Sequence, residues 1–161
     1  MNFKVWIAIG IAVLLALYGI SVNNSLVEQE ESVNQAWAQV ENQYQRRTDL
    51  IPNLVSTVQG AADFEQETLT KVIEARSRAT SINVDPSELS NESAIRQFEQ
   101  VQGQLSGALS RLLVSVERYP ELTATQNFRD LQNQLEGTEN RIATERMRFN
   151  QAAQDYNTSL R

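Results

Sequence analysis

The chain has 161 residues, a formal charge of −6 and neither cysteine nor histidine. Without those two residue types, the sequence excludes a disulfide framework, a thiolate nucleophile, a Ser-His-Asp relay and the usual zinc and di-iron sites. After Asn24 the chain holds 20 acidic and 13 basic residues, a formal charge of −7, which gives no electrostatic basis for binding nucleic acid. We therefore expect no catalysis, no metal ion, no cofactor and no nucleic-acid partner.

The first predicted element is a transmembrane helix at about residues 5–22, within an anchor segment 1–24. The stretch VWIAIGIAVLLALYGISV is uncharged, and at ~1.5 Å of rise per residue it spans ~27 Å, close to the ~30 Å hydrocarbon core of a bilayer. Trp6 and Tyr18 lie near its two ends, where amphipathic rings prefer the membrane interface. The lipid bilayer is thus the first predicted partner.

Two features bear on how this segment is used. A cleaved signal peptide is the main alternative to a retained anchor, but Gly19, Ile20 and Ser21 form only a weak cleavage pattern. Lys4 precedes the apolar stretch, and the positive-inside tendency then places the N-terminus in the cytoplasm. The prediction is a single-pass protein of the bacterial inner membrane whose C-terminal domain is extracytoplasmic.

Beyond the anchor, residues 25–161 are predicted to form one helical domain. Ser25 has the sequence context of a helix cap, and apolar residues then recur at helical spacing. Because proline is tolerated near a helix start and disfavoured inside a helix, Asp49 is predicted to cap a second helix with Pro52 in its first turn. The prediction is two helices, over 26–46 and 50–80; one long helix kinked at Pro52 is the alternative.

The second half of the chain predicts two more helices. Residues 80–93 are rich in serine and asparagine and contain Asp-Pro, which indicates a loop with at most one helical turn. A third helix is predicted over 94–118, ended by Tyr119-Pro120, and a capping box at Thr123 opens a fourth that runs to the C-terminus. The fold class is all-α, with the transmembrane helix followed by an elongated antiparallel up-and-down four-helix bundle.

Four charged residues fall on or near the apolar stripe of these helices: Arg47, Glu65, Arg76 and Glu145. Unpaired charge in a core is costly, so we expect them to pair across helices. They could form a polar binding site in or at the end of the bundle. The favoured interpretation is that they are ion pairs that fix helix order and register.

Arg46, Arg47 and Asp49 flank the predicted first turn of the domain. An arginine pair there could dock a carboxylate or a phosphate. The favoured interpretation is again structural, with Asp49 locking the turn through the arginines.

Residues 37–55, WAQVENQYQRRTDLIPNLV, resemble the signature of the LemA family, W-x-x-V-x-x-x-Y-x-R-R-x-D-L-I-P-N-L-V. The resemblance continues through Glu65, EAR at 74–76, YPEL at 119–122 and ENRIA at 139–143, and covers essentially the whole chain. It implies a bacterial single-pass membrane protein with an up-and-down four-helix bundle and no established enzymatic activity. Relatives that include proteins of magnetosome membranes imply envelope or membrane-organising roles. Family members usually continue past the position of Asn157 into a short tail with a Phe-Pro pair.

The function expected from these features is a membrane-anchored helical scaffold of the cell envelope. Rods on a common anchor can pack side by side, and tethering raises their effective concentration. We therefore expect a homo-oligomer or association with another envelope protein. The alternative is an envelope sensor or ligand-binding domain, which requires a cavity or groove among the helices.

Overall fold

The computed structural model describes residues 3–60 and 64–160, with the side chains from Trp6 onward except that of Ala8. Lys4, on which the predicted orientation depends, lies outside the described side chains. All regular structure in these ranges is helical, which confirms the all-α prediction. The helices are α1 (Phe3–Gln59), α2 (Gln66–Ser81), α3 (Glu92–Val116), the short α4 (Pro120–Thr123) and α5 (Gln126–Ser159), with a 3₁₀ turn at Pro86–Glu88.

Helix α1 is continuous from the apolar segment into the bundle. Its 57 residues extend ~86 Å at ~1.5 Å per residue. The predicted start of a new helix at Ser25 is wrong, because Ser25 lies inside α1. Its hydroxyl accepts a hydrogen bond from Gln29 Nε2 (3.2 Å) within that helix. The predicted break at Asp49 is also wrong. The alternative of one helix through Pro52 is correct as far as Gln59, where α1 ends, and α2 begins at Gln66.

The remaining helix ends follow local capping chemistry. Asp85 accepts a hydrogen bond from the Ser87 backbone N–H (2.9 Å) in the 3₁₀ turn, so the predicted loop with one helical turn is confirmed. Asn91 caps α3 in the same way. Helix α5 is capped by Thr125, whose hydroxyl accepts from the Phe128 N–H, and not by the predicted Thr123.

The bundle consists of two antiparallel helix pairs. Helix α1 lies along α5, and α2 lies along α3. The first pairing is antiparallel because Trp37 meets Phe149, with ring centroids 5.0 Å apart, while Arg47 further along α1 meets Glu139. Extended at a constant rise per residue, this register brings the end of α5 at Ser159 level with Val27. The C-terminal helix therefore returns toward the apolar segment, as the up-and-down prediction requires.

Two separate apolar cores lie along the bundle axis. The distal core, far from the apolar segment, takes side chains from all four long helices and also from α4. The proximal core is smaller and aromatic: the Trp37 ring packs edge-on against Phe98 at 5.3 Å, and Phe98 packs against Tyr44 at 5.2 Å. Buried members of the distal core include Ile51, Leu54, Val58, Leu69, Val72, Leu105, Leu112 and Val116; those of the proximal core are Trp37, Val40, Tyr44, Val84, Phe98 and Ile142.

The apolar N-terminal part of α1 has no protein packed over it. No residue in the most apolar 18-residue stretch of this helix is buried, whereas the core helix of a soluble protein would be mostly buried. Among the described helices, α1 alone is long and apolar enough to cross a membrane by length and composition, a test that a signal sequence also passes. Trp6 and Tyr18 are 58% and 70% exposed, so nothing in the bundle competes with lipid for them.

Candidate functional site: a buried polar layer and an adjoining cleft

A buried arginine lies between the two apolar cores. Arg47 is 1% exposed, and its Nη1 donates to Ser106 Oγ (2.6 Å) and to Glu139 Oε1 (2.9 Å). Its Nη2 donates to the side chain of Gln102 (2.6 Å) and to the Gln102 carbonyl (3.2 Å). The guanidinium also lies 5.0 Å from the centroid of the Tyr44 ring. Arg47 on α1 thus binds α3 and α5 at once.

The neighbours of Arg47 extend this contact into a layer across the bundle. Gln102 is buried and extends the hydrogen-bond network to α2, because its Nε2 donates to the Ala79 carbonyl (3.3 Å). Thr48 and Thr138 are also buried and bond backbone carbonyls of their own helices. We call this set, Arg47, Thr48, Gln102, Ser106, Thr138 and Glu139, the polar layer. All four long helices meet in it, so it defines their relative register.

Arg76 explains how α1 passes through Pro52 without a break. Proline has no N–H, so the carbonyl of Thr48, four residues earlier, loses its helical donor. Arg76 Nε on α2 donates to that carbonyl at 2.9 Å. Arg76 therefore does not pair with a carboxylate as predicted: it replaces the hydrogen bond that Pro52 cannot make, and at the same time attaches α2 to α1.

Glu65 lies at the far end of the bundle, outside the polar layer. It occupies the N-cap position of α2 and is about half exposed, because the helix predicted to contain it begins only at Gln66. Arg118 Nη2 donates to its Oε1 (2.9 Å) and Ser115 Oγ to its Oε2 (3.2 Å). The hydrogen bond and charge of Arg118 lower the pKa of Glu65. This cluster joins α2 to the end of α3.

The other predicted polar residues do not reach the layer. Arg46 is exposed, and Asp49 is an exposed residue inside α1 that accepts a hydrogen bond from Gln45 Nε2 (3.2 Å). Asp49 therefore does not lock a turn. Glu145 is mostly buried but bonds Arg148 (2.9 Å) within α5, so the expected pairing across helices is wrong for this residue.

A cleft of about 390 Å³ adjoins the polar layer. One face of α1 forms its first wall, and the end of α2, the following loop and α3 form the others. Glu41 is its only acidic side chain, and burial raises the pKa of that carboxyl, although the neighbouring Trp37 indole partly opposes the shift. The Trp37 N–H is buried without a well-aligned hydrogen bond. The lining residues are Glu41, Asn42, Tyr44, Gln45, Thr48, Ala79, Thr80, Ile82, Asn83, Phe98 and Gln102.

The layer and the cleft present polar groups that can bind a ligand. The described residues include no group of three or more carboxylates placed to share a metal ion. Burial raises the pKa of Tyr44, so its hydroxyl stays protonated at neutral pH. Hydroxyls, amides and one carboxylate can orient a polar ligand, whereas a nucleophile would need an adjacent base.

The sequence pattern predicted Arg47 as a polar residue of the core, but it did not predict the partners of Arg47. Gln102 and Ser106 are a polar pair at helical spacing on α3, next to the apolar seam, and that spacing was a usable signal. Glu139 belongs to the ENRIA segment of the family resemblance. Glu41 gave no signal, since a single glutamate on a helix is ordinarily solvated.

Comparison with known proteins supports the resemblance. The model of the LemA family matches residues 36–161. The chain is 24% identical over 140 residues to Protein LemA of Metamycoplasma hominis, covering 85% of this chain and 58% of that protein. It is 26% identical over 166 residues to Magnetosome protein MamQ 2 of Paramagnetospirillum magneticum, covering 93% and 59%. The chain thus spans less than two thirds of the length of these relatives.

Proposed function

Because the chain belongs to the LemA family, we propose that it is a membrane-anchored helical scaffold of the bacterial cell envelope. In this proposal it acts by associating with copies of itself or with another envelope protein, and it catalyses no reaction. It is retained by its N-terminal helix as a single-pass protein of the inner membrane, with residues 25–161 outside the cytoplasm. Magnetosome proteins among its relatives support a role at a membrane.

The observation that carries the proposal is the continuity of α1. A flexible linker would let the domain move independently of its anchor, whereas one helix extends from the apolar segment to Gln59 in the distal core. Cleavage after a signal peptide would cut through this helix. A rod held by its own anchor presents the same faces at the same height in every copy, which suits lateral association.

The surface of the bundle is compatible with such contacts. Beyond the apolar segment, the exposed large apolar side chains are scattered over the four long helices and the C-terminal end of α5, at Val27, Ile73, Val114, Met147 and Leu160. Scattered exposure of this kind is normal and does not define an interface. We therefore assign the association to the rod as a whole and leave the choice of face to experiment.

Cysteine cross-linking tests self-association, because the natural chain has no cysteine. Ile73→Cys, Val114→Cys and Met147→Cys each place one thiol on a different helix, and parallel copies bring equal positions to equal heights. We expect oxidation in membranes to give a disulfide dimer for at least one of them and little for the others. Monomer for all three, together with a monomeric particle in detergent at high concentration, would remove the self-association part of the proposal.

The orientation is tested with the same design. Ser87→Cys is exposed in the turn after α2, and a membrane-impermeant maleimide should label it in intact cells whose outer barrier is permeabilised. Labelling only after lysis would place the bundle in the cytoplasm. The scaffold proposal would then concern cytoplasmic partners.

The cleft favours a second candidate function, an envelope sensor or ligand-binding domain. It lies against the polar layer in which all four long helices meet. A ligand there would contact α1, α2 and α3 together. This candidate differs from the scaffold in requiring a small ligand, and is decided by binding measurements rather than by cross-linking.

A further inference from the structure

One carboxylate faces the cleft without a counter-ion. Glu41 is partly buried, and no lysine or arginine in the described part of the chain pairs with it. Arg47 does not line the cleft, and its charge is directed to Glu139. The other lining groups are uncharged at neutral pH: four amide side chains, two threonine hydroxyls, the Tyr44 phenol and apolar side chains.

This arrangement is unfavourable for the free protein. Partial removal of water destabilises an ionised carboxylate unless a cation or several hydrogen-bond donors replace the water. Consistently, burial holds the pKa of Glu41 above its ordinary value. The charge that would relieve this cost is positive and has to come from outside the described chain.

The lining identifies the kind of cation. A divalent metal ion in a protein usually takes several oxygen ligands including more than one carboxylate, and Glu41 is the only carboxylate in the cleft. An ammonium or guanidinium group instead needs one carboxylate and neutral acceptors for its remaining N–H groups. Asn42, Gln45 and Thr48 offer such acceptors on the α1 wall.

The apolar part of the lining suits the rest of such a molecule. The rings of Tyr44 and Phe98 border the cleft with the small part of their surface that is exposed, 6% and 4%. Ile82 adds an apolar side chain that is partly exposed. An alkyl chain carrying the charge can pack against this apolar part of the lining. A volume of about 390 Å³ is within the range of small-ligand sites.

We propose that this cleft binds an organic cation, a primary ammonium or guanidinium group on a short alkyl chain, with its charge paired to Glu41. The same chemistry is found in a free diamine and in a basic side chain of a partner protein. The proposal is independent of the scaffold function, since a monomeric rod can have the cleft and an oligomer can lack a ligand.

Tryptophan fluorescence of the full chain in a neutral detergent tests it. The chain has two tryptophans, so Trp6→Phe leaves only Trp37, whose ring contacts Phe98 in the cleft wall. Diaminobutane should shift the Trp37 emission with saturation, and butanediol, its uncharged analogue, should not. A capped tripeptide with a central lysine, tested in parallel, distinguishes the sources: tighter binding of the peptide supports a partner side chain, and tighter binding of the diamine supports a free ligand.

The variants have a matched control. Glu41→Gln should weaken diamine binding by about tenfold or more, as expected for loss of a charge-assisted bond. Glu28→Gln removes the same charge from an exposed position of α1 and should leave the affinity within about twofold. Gln45→Lys keeps Glu41 but supplies a cation one helical turn away, and should also weaken binding.

Two results would overturn the proposal. One is the absence of saturable binding of both the diamine and the peptide. The other is equal binding by the Glu41→Gln and Glu28→Gln variants, since this would mean diffuse attraction to the acidic surface. Helix content of each variant is checked by circular dichroism, and Gln45→Lys tests the site with Glu41 in place.

Discussion

Pro52 and Arg76 form a pair in which one residue supplies the hydrogen bond that the other cannot make. The Thr48 carbonyl belongs to a buried residue, and Arg76 Nε is its donor from another helix. An unsatisfied buried carbonyl costs about 1–3 kcal/mol. We therefore expect the contribution of Arg76 to the free energy of unfolding to depend on the presence of Pro52.

A double-mutant cycle tests this dependence. Arg76→Ala should lower the free energy of unfolding by about 1–3 kcal/mol. In a Pro52→Ala background the helix regains its own N–H donor, so the same arginine change should cost clearly less. Thermal unfolding followed by circular dichroism in detergent measures all four proteins. Equal costs in both backgrounds would show that Arg76 does not act through the Thr48 carbonyl.

Arg47 is the residue on which the polar layer depends most. Arg47→Met removes the charge but leaves Gln102 and Ser106 without their donor, and we expect a loss of about 2–4 kcal/mol, somewhat below the cost of breaking a fully buried pair. Arg47→Lys should recover only part of the lost stability. Lysine lacks the planar guanidinium that hydrogen-bonds Gln102, Ser106 and Glu139 together. Chemical denaturation compares them with Arg46→Met, which changes an exposed neighbour and should be nearly neutral.

The pH dependence of stability tests the effect of burial on Glu41. Its pKa is raised in the folded state above the ordinary value of 4.5, so between these two values the folded state binds more protons than the unfolded state. Stability from this group is therefore greatest at low pH and falls as pH rises through the window. Glu41→Gln should raise the melting temperature at neutral pH and lose this advantage near pH 4. A lower melting temperature at neutral pH would indicate that Glu41 has a stabilising partner within the protein.

At the scale of the elements, helix existence and order were predictable and several boundaries were not. Apolar spacing and Tyr119-Pro120 are local signals, and they located α3 and α5 well. Pro52 is also a local signal, but its effect is cancelled by Arg76, 24 residues later, so no local rule could place the end of α1. For the same reason the polar layer was only half predicted: the seam pointed to Arg47, but its partners come from two other helices.

The cap of α5 gives a test at this scale. Thr125 Oγ1 accepts from the Phe128 N–H (3.3 Å) and donates to the Leu122 carbonyl (2.8 Å). Thr125→Ala should therefore cost about 1 kcal/mol. Thr123→Ala, two residues earlier at the cap predicted from sequence, should cost less, since that hydroxyl only donates to the Pro120 carbonyl. Thermal unfolding decides between them, and the reverse order would favour the predicted cap.

At the scale of the whole molecule, α1 and α5 extend past the shorter α2–α3 hairpin. Phe98 of α3 meets Trp37 of α1, so α3 begins well above the apolar segment. Below that level, α1 and α5 are the two helices that remain in the described part of the chain. The cleft and the polar layer lie above this two-helix stem, and the distal core lies above them.

Because α1 is unbroken, a tilt of its apolar segment also tilts the bundle. About 37 residues of α1 lie beyond the apolar segment, or ~55 Å at ~1.5 Å per residue, so a change in tilt of about 10° in the bilayer would move the far end sideways by about 10 Å. If the apolar segment lies in a bilayer as proposed, a tilt of that segment therefore displaces the distal core further than any other part of the bundle.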